Sequence, residues 1–458
     1  MHWRLFHLPS LLSMIRGHLP HDLHTLHTLY GPIIRTSPTS LSFSSPLAWN
    51  DIYTRDRIFV RPPQLKDQPP GKTAHNLIAC SETQHVRLRR ILAPGFSGKA
   101  VMGQENVVRR YIDLLMGRLD EKIHAGEGKG YVDVDVVEWV NYLSFDVIGD
   151  ITWGKSFGCL DGLRYHSWIQ TVGQFKEAVV VAALKFYPLL YWVVMKVTPA
   201  EALRGVMEMW KVTEERVRER VKVNENGGGR GEGNGKGDLV SVMMEGMSVE
   251  EMEVNAMLIV AAGSESITTV VTGTVNYLLR KPGKMQKLVD VLRGRFQTEE
   301  EITGTALKGV SYLDAVLNEG MRLCPTIPDG MRRLVPEGGA MVAGEFLPGG
   351  TTVSVCQWAS YRDERNFSYP DEFAPERWLG EKRFEGDVKS AFNPFSLGAH
   401  NCPGQNLAWL ELRLILARLL WRYDLSIPPG VELPRWEEQG IWWFWDKKPT
   451  LVRFSRFR

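Results

Sequence analysis

The stretch Phe395-Ser-Leu-Gly-Ala-His-Asn-Cys402-Pro-Gly404 sets one cysteine at the mouth of an apolar, helix-forming run, 405–423. A thiolate at a helix N-terminus gains from the positive end of the helix dipole and from free backbone N–H groups, so its pKa falls and it can bind a metal. Proline suits the first helical position, where its missing N–H costs nothing. The pattern therefore predicts a cysteine presented as a metal ligand.

The residues around this cysteine favour an iron in a flat porphyrin, with Cys402 as its one axial ligand. Phe395 is expected to pack beside the sulfur and keep water off it, which tunes a metal centre. Gly398 and Gly404 are expected to leave room where the ring lies against the backbone. A lone cysteine at a helix start is more often a small buried apolar residue than a ligand. The prediction therefore depends on the whole string.

That string has the pattern F-x-x-G-x-[basic]-x-C-x-G and resembles the cysteine-ligand loop of the haem-thiolate monooxygenases, the cytochromes P-450. Three further motifs of the family accompany it in the expected order. The resemblance covers nearly the whole chain, which looks like a filamentous-fungal member from secondary metabolism. It implies a mainly α fold with a minor β region, formed by a single domain over residues 1–458 around a long central oxygen-binding helix.

The second motif is the pair Glu319 and Arg322, which the i,i+3 spacing of a helix brings to one face. Such pairs are usually solvated surface contacts, but the flanking residues here are apolar and indicate burial. A buried pair needs a further partner. By resemblance, Arg377 of the stretch Phe373-Ala-Pro-Glu-Arg-Trp378 completes a structural triad that holds the side from which the cysteine is presented.

The stretch 373–378 is the third motif, and the fourth is a central helix predicted over 249–279, with a capping box before it and Lys281-Pro-Gly after it. Its middle is apolar on every side, which is typical of a buried helix. By resemblance, Gly263 opens the helix locally, and Glu265 and Ser266 form a catalytic acid–alcohol proton relay. The alternative for Ser266 is a hydrogen bond back to the carbonyl one turn earlier.

Two positions depart from the family pattern. Ser266 stands where threonine is usual, so it lacks the methyl group that restricts the rotamer. His400 stands where arginine is usual, and because histidine titrates near neutral pH, its grip on a haem propionate is expected to be weaker and pH-dependent.

The resemblance also assigns binding partners. His85, Arg89 and Arg333 are expected to reach the haem propionates, although each alone is more often a solvated charge. Arg87 and Arg90, on the same predicted helix, are guesses for the docking site of a reductase. The substrate pocket, by family position, is expected to be lined by Val260, Ala261, Thr326, Ile327 and Met331, with Trp442 and Trp443 near its far wall.

The chemistry expected from the resemblance is oxidation of a hydrophobic small molecule, such as a terpenoid, polyketide or alkaloid intermediate, by haem b and O2. A thiolate ligand favours O–O cleavage. Since the sequence shows no flavin, nicotinamide or iron–sulfur motif, electrons are expected from NADPH through a separate flavoprotein reductase. Two alternatives stay open: an electron-independent haem-thiolate rearrangement enzyme, suggested by Ser266, and a haem-binding protein without turnover, suggested by His400.

Composition excludes several other classes. The chain has 458 residues, 24% of them charged, and a net charge of +2, so nothing suggests nucleic-acid binding. Its five cysteines include no C-x-x-C pair, which argues against a disulfide framework or structural zinc. The Gly-rich run 224–237 is expected to be a flexible loop within the domain.

Membrane association is expected to be peripheral. Residues 1–17 never reach 18 apolar residues, so no N-terminal anchor is predicted. The apolar segment 178–197 carries a central Lys185 that makes insertion marginal, and it is expected to dip into a bilayer surface. Family resemblance implies the cytosolic face of the endoplasmic reticulum, with a cytosolic location as the alternative.

Overall fold

The computed structural model describes residues 2–54, 59–62, 68, 71–126, 128–169, 188–197, 200–226 and 237–457. Residues 227–236 of the predicted flexible loop and residues 178–187 of the predicted bilayer-contacting segment lie outside this range. Residues 224 and 225, which the sequence analysis assigned to the loop, instead end a helix that begins at Ala200.

Helices make up most of the described chain. In order they are α1 (Leu8–Ile15), α2 (Leu19–Tyr30), α3 (Pro46–Trp49), α4 (Glu82–Leu92), α5 (Gly98–Ala125), α6 (Val136–Trp153), α7 (Cys159–Gly162), α8 (Pro188–Val197), α9 (Ala200–Glu225), α10 (Leu239–Met243), α11 (Val249–Arg280), α12 (Pro282–Arg295), α13 (Gly304–Leu307), α14 (Ser311–Leu323), α15 (Gln357–Tyr361) and α16 (Gln405–Arg422).

The strands are short and form small sheets. They are β1 (Ile33–Ser37), β2 (Ser40–Phe43), β3 (Tyr131–Asp135), β4 (Arg333–Leu334), β5 (Ala340–Val342), β6 (Glu345–Leu347), β7 (Thr352–Val355), β8 (Tyr423–Ser426), β9 (Ile441–Trp442), β10 (Phe444–Trp445) and β11 (Leu451–Arg456). The largest sheet has the order β1-β2-β7-β4, in which β2 and β7 run parallel. A second sheet has the order β3-β11-β8 and brings the C-terminal strand beside α5.

The central helix α11 begins and ends where the sequence predicts. Ser248 accepts a hydrogen bond from the N–H of Glu251, and the Glu251 side chain accepts one from the N–H of Ser248, which completes the capping box. At the other end, Pro282 opens the next helix at a position where its missing N–H costs nothing. Most of α11 is buried against α6, α9, α14 and α16.

This burial bears on membrane topology. By length and hydropathy, α11 is the one described helix apolar enough to cross a membrane, but 61% of its most apolar window is buried inside the protein. It is therefore the core helix of the fold, and its apolar composition is only weak evidence that it crosses a membrane.

Candidate functional site

The cysteine loop is held by its own backbone. The N–H of Cys402 donates to the carbonyl of Phe395 at 2.8 Å. The turn needs two left-handed residues, because φ is 60° at Ser396 and 68° at Gly398. A Cβ at position 398 would lie 2.1 Å from the carbonyl oxygen of Tyr53. Packing within the protein therefore requires glycine at 398, whereas the sequence analysis attributed this glycine to clearance for a flat ring.

The surroundings of the Cys402 thiol indicate that it faces an interior cavity. Its side chain is exposed, yet the protein surrounds it so closely that burial is the largest influence on its pKa, and raises it. The N–H of Gly404 and the charge of Arg89 act in the opposite direction, so the expected lowering by the helix N-terminus is outweighed. A Cβ at 404 would meet the Cys402 sulfur at 3.9 Å, an ordinary contact. Since a bound metal ion deprotonates a thiol outright, this cysteine suits a metal ligand.

A cluster of basic side chains lies beside the loop. The Arg61 guanidinium is 2.8 Å from Nδ1 of His400. The rings of His85 and His400 lie against each other, with their centroids 4.0 Å apart and their planes tilted by 36°. Nε2 of His400 is 2.9 Å from the Glu82 carboxylate. Burial lowers the pKa of Arg61 to about 10, and the nearby charge of Arg333 is the second largest cause of this shift.

This cluster needs an anion. Arg61 and Arg333 are only 4% and 2% exposed, and neither has an acidic ion-pair partner among the described residues. Nε of Arg61 has no hydrogen-bond partner there either. Leaving a buried charge unpaired is expensive, and although Glu82, His85 and His400 are close enough to hold a cation, the two guanidiniums beside them oppose one. The pair of carboxylates on a haem fits this place.

Arg61 was missed by the sequence analysis. It is a single arginine in an irregular segment, Val60-Arg61-Pro62, and no local pattern distinguishes it from a surface charge. Only the fold shows that the guanidinium of Arg61 is enclosed. It donates to the carbonyls of Leu77 and Ile78 and contacts His400.

The other basic residues of α4 have different partners from those expected. Arg89 donates to the carbonyl oxygen and to Oδ1 of Asn401, at 2.6 and 2.5 Å. It therefore clamps the cysteine loop rather than joining the basic cluster. Arg87 pairs with Glu251 at the start of α11, so it is not a free charge for a partner protein. Arg90 is exposed.

The three residues of the predicted triad lie together in the structure. Nε and Nη2 of Arg322 donate to the two carboxylate oxygens of Glu319, at 2.9 and 2.8 Å, and Nε of Arg377 donates to Oε1 of Glu319 at 3.0 Å. The N–H groups of Ala374 and the Trp378 indole complete the set. Burial alone would raise the pKa of Glu319, but the two guanidiniums and the Ala374 N–H outweigh it and the pKa is lowered. This arrangement fastens α14 to the loop that follows α15.

One face of α11 is accessible although the helix crosses the core. Ala262 is exposed in the middle of the helix, and Ile259 and Ser266 are partly exposed. These positions are three and four residues apart, so they share one face. Val260 is fully buried and Ala261 packs against the core. The face available to a substrate therefore carries Ala262, whereas Val260, predicted to line the pocket, points into the core.

Gly263 serves the contact between two helices. A Cβ there would lie 2.8 Å from both Cγ1 and Cδ1 of Ile148 on α6. Helix α11 is continuous through this point. The expectation that Gly263 opens the helix above a cofactor is therefore replaced by a packing role.

The predicted relay residues have clear partners. Oγ of Ser266 donates to the carbonyl of Ala262 at 2.7 Å, which is the back-bonding alternative considered for it. Glu265 is turned to Lys447, whose Nζ lies 2.5 Å from Oε2. Thr268 is fully buried and its hydroxyl pairs with that of Ser144.

The remaining pocket predictions divide into two groups. Thr326, Ile327 and Met331 are partly exposed in the segment after α14, as a wall of the cavity would be. Trp442 instead donates its indole N–H to the carbonyl of Ile15, beside α1, and is a structural contact. Its neighbour Trp443 is 38% exposed at the tip of the β9–β10 hairpin.

These features define a mainly α protein that presents one cysteine thiol to an interior cavity flanked by a site for two carboxylates. Comparison with known proteins agrees. Residues 1–453 match the family model for cytochrome P450. Averantin hydroxylase of Dothistroma septosporum is 38% identical, with 98% of this chain and 84% of the relative covered. Cytochrome P450 monooxygenase lcsI of Purpureocillium lilacinum is 35% identical, covering 98% and 87%, and averantin hydroxylase of Aspergillus parasiticus is 36% identical, covering 98% and 90%.

The chain belongs to the cytochrome P450 family. It is a haem-thiolate monooxygenase, an oxidoreductase that uses haem and O2, and it requires a redox partner and a hydrophobic substrate as family members do. The predicted fold class and the resemblance to fungal monooxygenases of secondary metabolism are confirmed. The relatives do not favour the rearrangement enzyme or the haem-binding protein without turnover.

Proposed function

We propose that this monooxygenase hydroxylates a hydrophobic intermediate of fungal secondary metabolism, with haem b ligated by Cys402 and electrons delivered from NADPH by a separate flavoprotein reductase. The observation that carries the proposal is the accessible Cys402 thiol, enclosed by the protein beside buried arginines that have no acidic ion-pair partner within the described part of the chain. Haem is one of the few groups that carry both a metal able to bind a thiolate and two carboxylates.

The proposed roles of the chain's residues follow from their positions. Cys402 binds the iron, and the haem, when bound, supplies the electron-rich metal at which O–O cleavage is favoured. Arg61, Arg333, His85 and His400 neutralise the propionates. Arg89 holds the Asn401 backbone and so fixes the loop that presents the sulfur.

Two residues of α11 would handle protons. Oγ of Ser266 is fixed by the Ala262 carbonyl on the accessible face, so it can present a hydroxyl to the cavity. Glu265, the next residue on the helix, can supply that hydroxyl with a proton when its carboxyl group leaves Lys447. The same face also carries the apolar side chains of Ile259 and Ala262.

The substrate class rests on this lining and on the relatives. Two of them are averantin hydroxylases, so hydroxylation of a small molecule is the reaction proposed for this chain. Ile259, Ala262, Ile327 and Met331 supply apolar contacts, and Thr326 supplies a hydroxyl, as is typical of pockets that orient an apolar ligand with few polar groups.

Partners and location are proposed from the surface. Arg90 is exposed on α4, next to the helix turn that clamps the cysteine loop, and is proposed as one contact for the acidic surface of a reductase. Peripheral membrane contact at the endoplasmic reticulum is proposed through the exposed apolar residues near α1 and on α8, namely Leu5, Phe6, Leu8, Leu12, Trp192 and Val193.

The test is the spectrum of the reduced, carbon-monoxide-bound protein. Wild type is expected to show the red-shifted Soret band of thiolate ligation, and Cys402→Ser is expected to lose it. Cys356→Ser, which changes a fully buried cysteine elsewhere in the fold, is the matched control and should keep the band. A wild-type Soret band typical of histidine ligation would defeat the assignment.

A further inference from the structure

Glu265 has a partner that the sequence did not suggest. Nζ of Lys447 lies 2.5 Å from Oε2 of Glu265, and their side chains are only 5% and 12% exposed. Among the described residues, the structure gives neither group another ion-pair partner. The contact joins the middle of α11 to the segment between β10 and β11, more than 180 residues further along the chain.

The backbone that carries Lys447 is anchored on both sides. The N–H of Lys448 donates to the Gln439 side chain at 2.6 Å, and the N–H of Thr450 donates to Asp135 at 2.8 Å. Lys447 therefore reaches Glu265 from a fixed base on a long, flexible side chain. Such a pair can open and close through rotamer changes alone, without moving either element.

Polar side chains lie near the pair. Burial raises the pKa of Tyr165 to about 12, and the charges of Glu138, Asp135 and Glu265 add to this shift, so its phenol stays protonated near the pair. Oδ1 of Asn141 is buried there without a hydrogen-bond partner. Glu265 is therefore near these polar groups and next in the chain to Ser266, which lies on the accessible face of α11.

We propose that Lys447 is a positioning residue that keeps Glu265 charged and turned away from the cavity in the resting enzyme. The inference rests on the proposed proton relay and deepens it. A mostly buried carboxylate with a single cationic partner stays ionised only while that partner is in place, because burial by itself favours the neutral acid. Opening of the pair is therefore the event that allows Glu265 to take up a proton and present it to Ser266.

Infrared spectroscopy of the haem-loaded enzyme reads the protonation state of Glu265 without turnover. In Lys447→Met, the Glu265 carboxylate loses its cationic partner while it stays mostly buried, so its neutral acid form is expected to gain population. A carboxylic-acid C=O band should therefore appear that is absent from wild type, and it should vanish again in Lys447→Met/Glu265→Gln. Other buried acids contribute equally to all variants and cancel in the difference spectra.

Three further variants define the result. Lys447→Arg keeps the charge and should match wild type, while Lys448→Met, which removes an exposed lysine next in the chain, should also match it. Lys447→Gln gives the same readout if Lys447→Met does not fold. The absence of any new acid band in both Lys447→Met and Lys447→Gln would overturn the proposal.

The relay itself is tested separately by the peroxide released per NADPH oxidised. Glu265→Gln and Ser266→Ala are expected to raise this ratio severalfold. An unchanged ratio in both variants would show that Glu265 and Ser266 do not form a proton relay, whatever the infrared result. If no new acid band appears in the Lys447 variants but the ratio rises in Glu265→Gln and Ser266→Ala, the role of Lys447 would be wrong and the relay would stand.

Discussion

Glu319 on α14 and Glu265 on α11 are both enclosed glutamates that meet basic side chains, but the two regions treat them differently. Glu319 receives hydrogen bonds from two arginines, an indole and a backbone N–H, and is 0% exposed. Glu265 has one described partner, Lys447, at the edge of an accessible cavity. The first carboxylate is held from several directions and cannot move, whereas the second can be released by one side-chain rotation.

The difference separates two functions within one protein. On the side of the cysteine loop, the chain fixes geometry, because a metal ligand must be presented at one place. On the side of α11, it keeps a carboxylate that can change partner, because proton delivery needs a group that moves. Substitutions in the first region are therefore expected to cost stability, and substitutions in the second to alter chemistry at little cost in folding.

The largest effect is expected for Glu319→Gln. It leaves the buried charge of Arg322 without its carboxylate and takes one of two carboxylates from Arg377, which keeps Asp387. Breaking a buried ion pair in this way costs about 3–5 kcal/mol. The free energy of unfolding from denaturant titration measures this loss. Glu376→Gln is the control, because its partners Lys284 and Lys287 are half-exposed and the pairs contribute less than about 1 kcal/mol. Equal losses in the two variants would contradict the comparison.

The cysteine loop offers a matched pair of glycines. Gly398→Ala forces an L-residue into the left-handed region and drives its Cβ into the Tyr53 carbonyl, which is expected to cost about 3 kcal/mol in all. Gly404→Ala meets only ordinary contacts and should cost less than about 1 kcal/mol. Unfolding of the two haem-free proteins compares them directly. If Gly404→Ala proved the more destabilising, the packing argument for Gly398 would be wrong.

Glu411, on the helix α16 that follows the cysteine loop, tests whether every buried carboxylate in this region has a charged partner. Burial raises its pKa to about 8, so the folded protein keeps a proton that the unfolded chain loses above about pH 4.5. Stability should therefore fall as pH rises toward 8, and Glu411→Gln should remove this loss. Relative to wild type, the variant is expected to gain about 2 kcal/mol between pH 6 and 8.

Denaturant titrations at pH 6, 7 and 8 measure that gain. Glu319→Gln is the comparison, because the lowered pKa of Glu319 puts its titration below this range. Its stability relative to wild type should stay flat over the same interval. A flat difference for Glu411→Gln as well would mean that Glu411 is charged in the folded protein and has a partner.

The sequence was most informative where a function depends on neighbours in the chain. The spacing of Glu319 and Arg322 places both on one helical face, and the capping box at Ser248 sets where α11 begins. Partners from distant segments could not be found in this way. Arg61 and Lys447 have no local signal, and each acquires its contact only when the chain folds.

The direction in which side chains point on α11 was the second property that the sequence could not predict. On α11, a shift of two positions separates Ala262, which is exposed, from Val260, which is buried. The resemblance pointed to this turn of the helix, but which side of it is accessible follows from how α6 packs on α11. Gly263 shows the same effect, since its role is set by Ile148 on the neighbouring helix.

Gly263→Ala is accordingly expected to have the smallest effect. The added methyl group overpacks against Ile148, which costs about 1–3 kcal/mol, while alanine favours the helix by about 1 kcal/mol, so the net loss should be about 1 kcal/mol. Ile148→Val removes Cδ1, one of the two crowded atoms, and the double variant should recover part of the loss. Unfolding free energies of the four proteins give this coupling. If Gly263 instead cleared space above the cofactor, Gly263→Ala would weaken carbon monoxide binding and Ile148→Val would restore nothing.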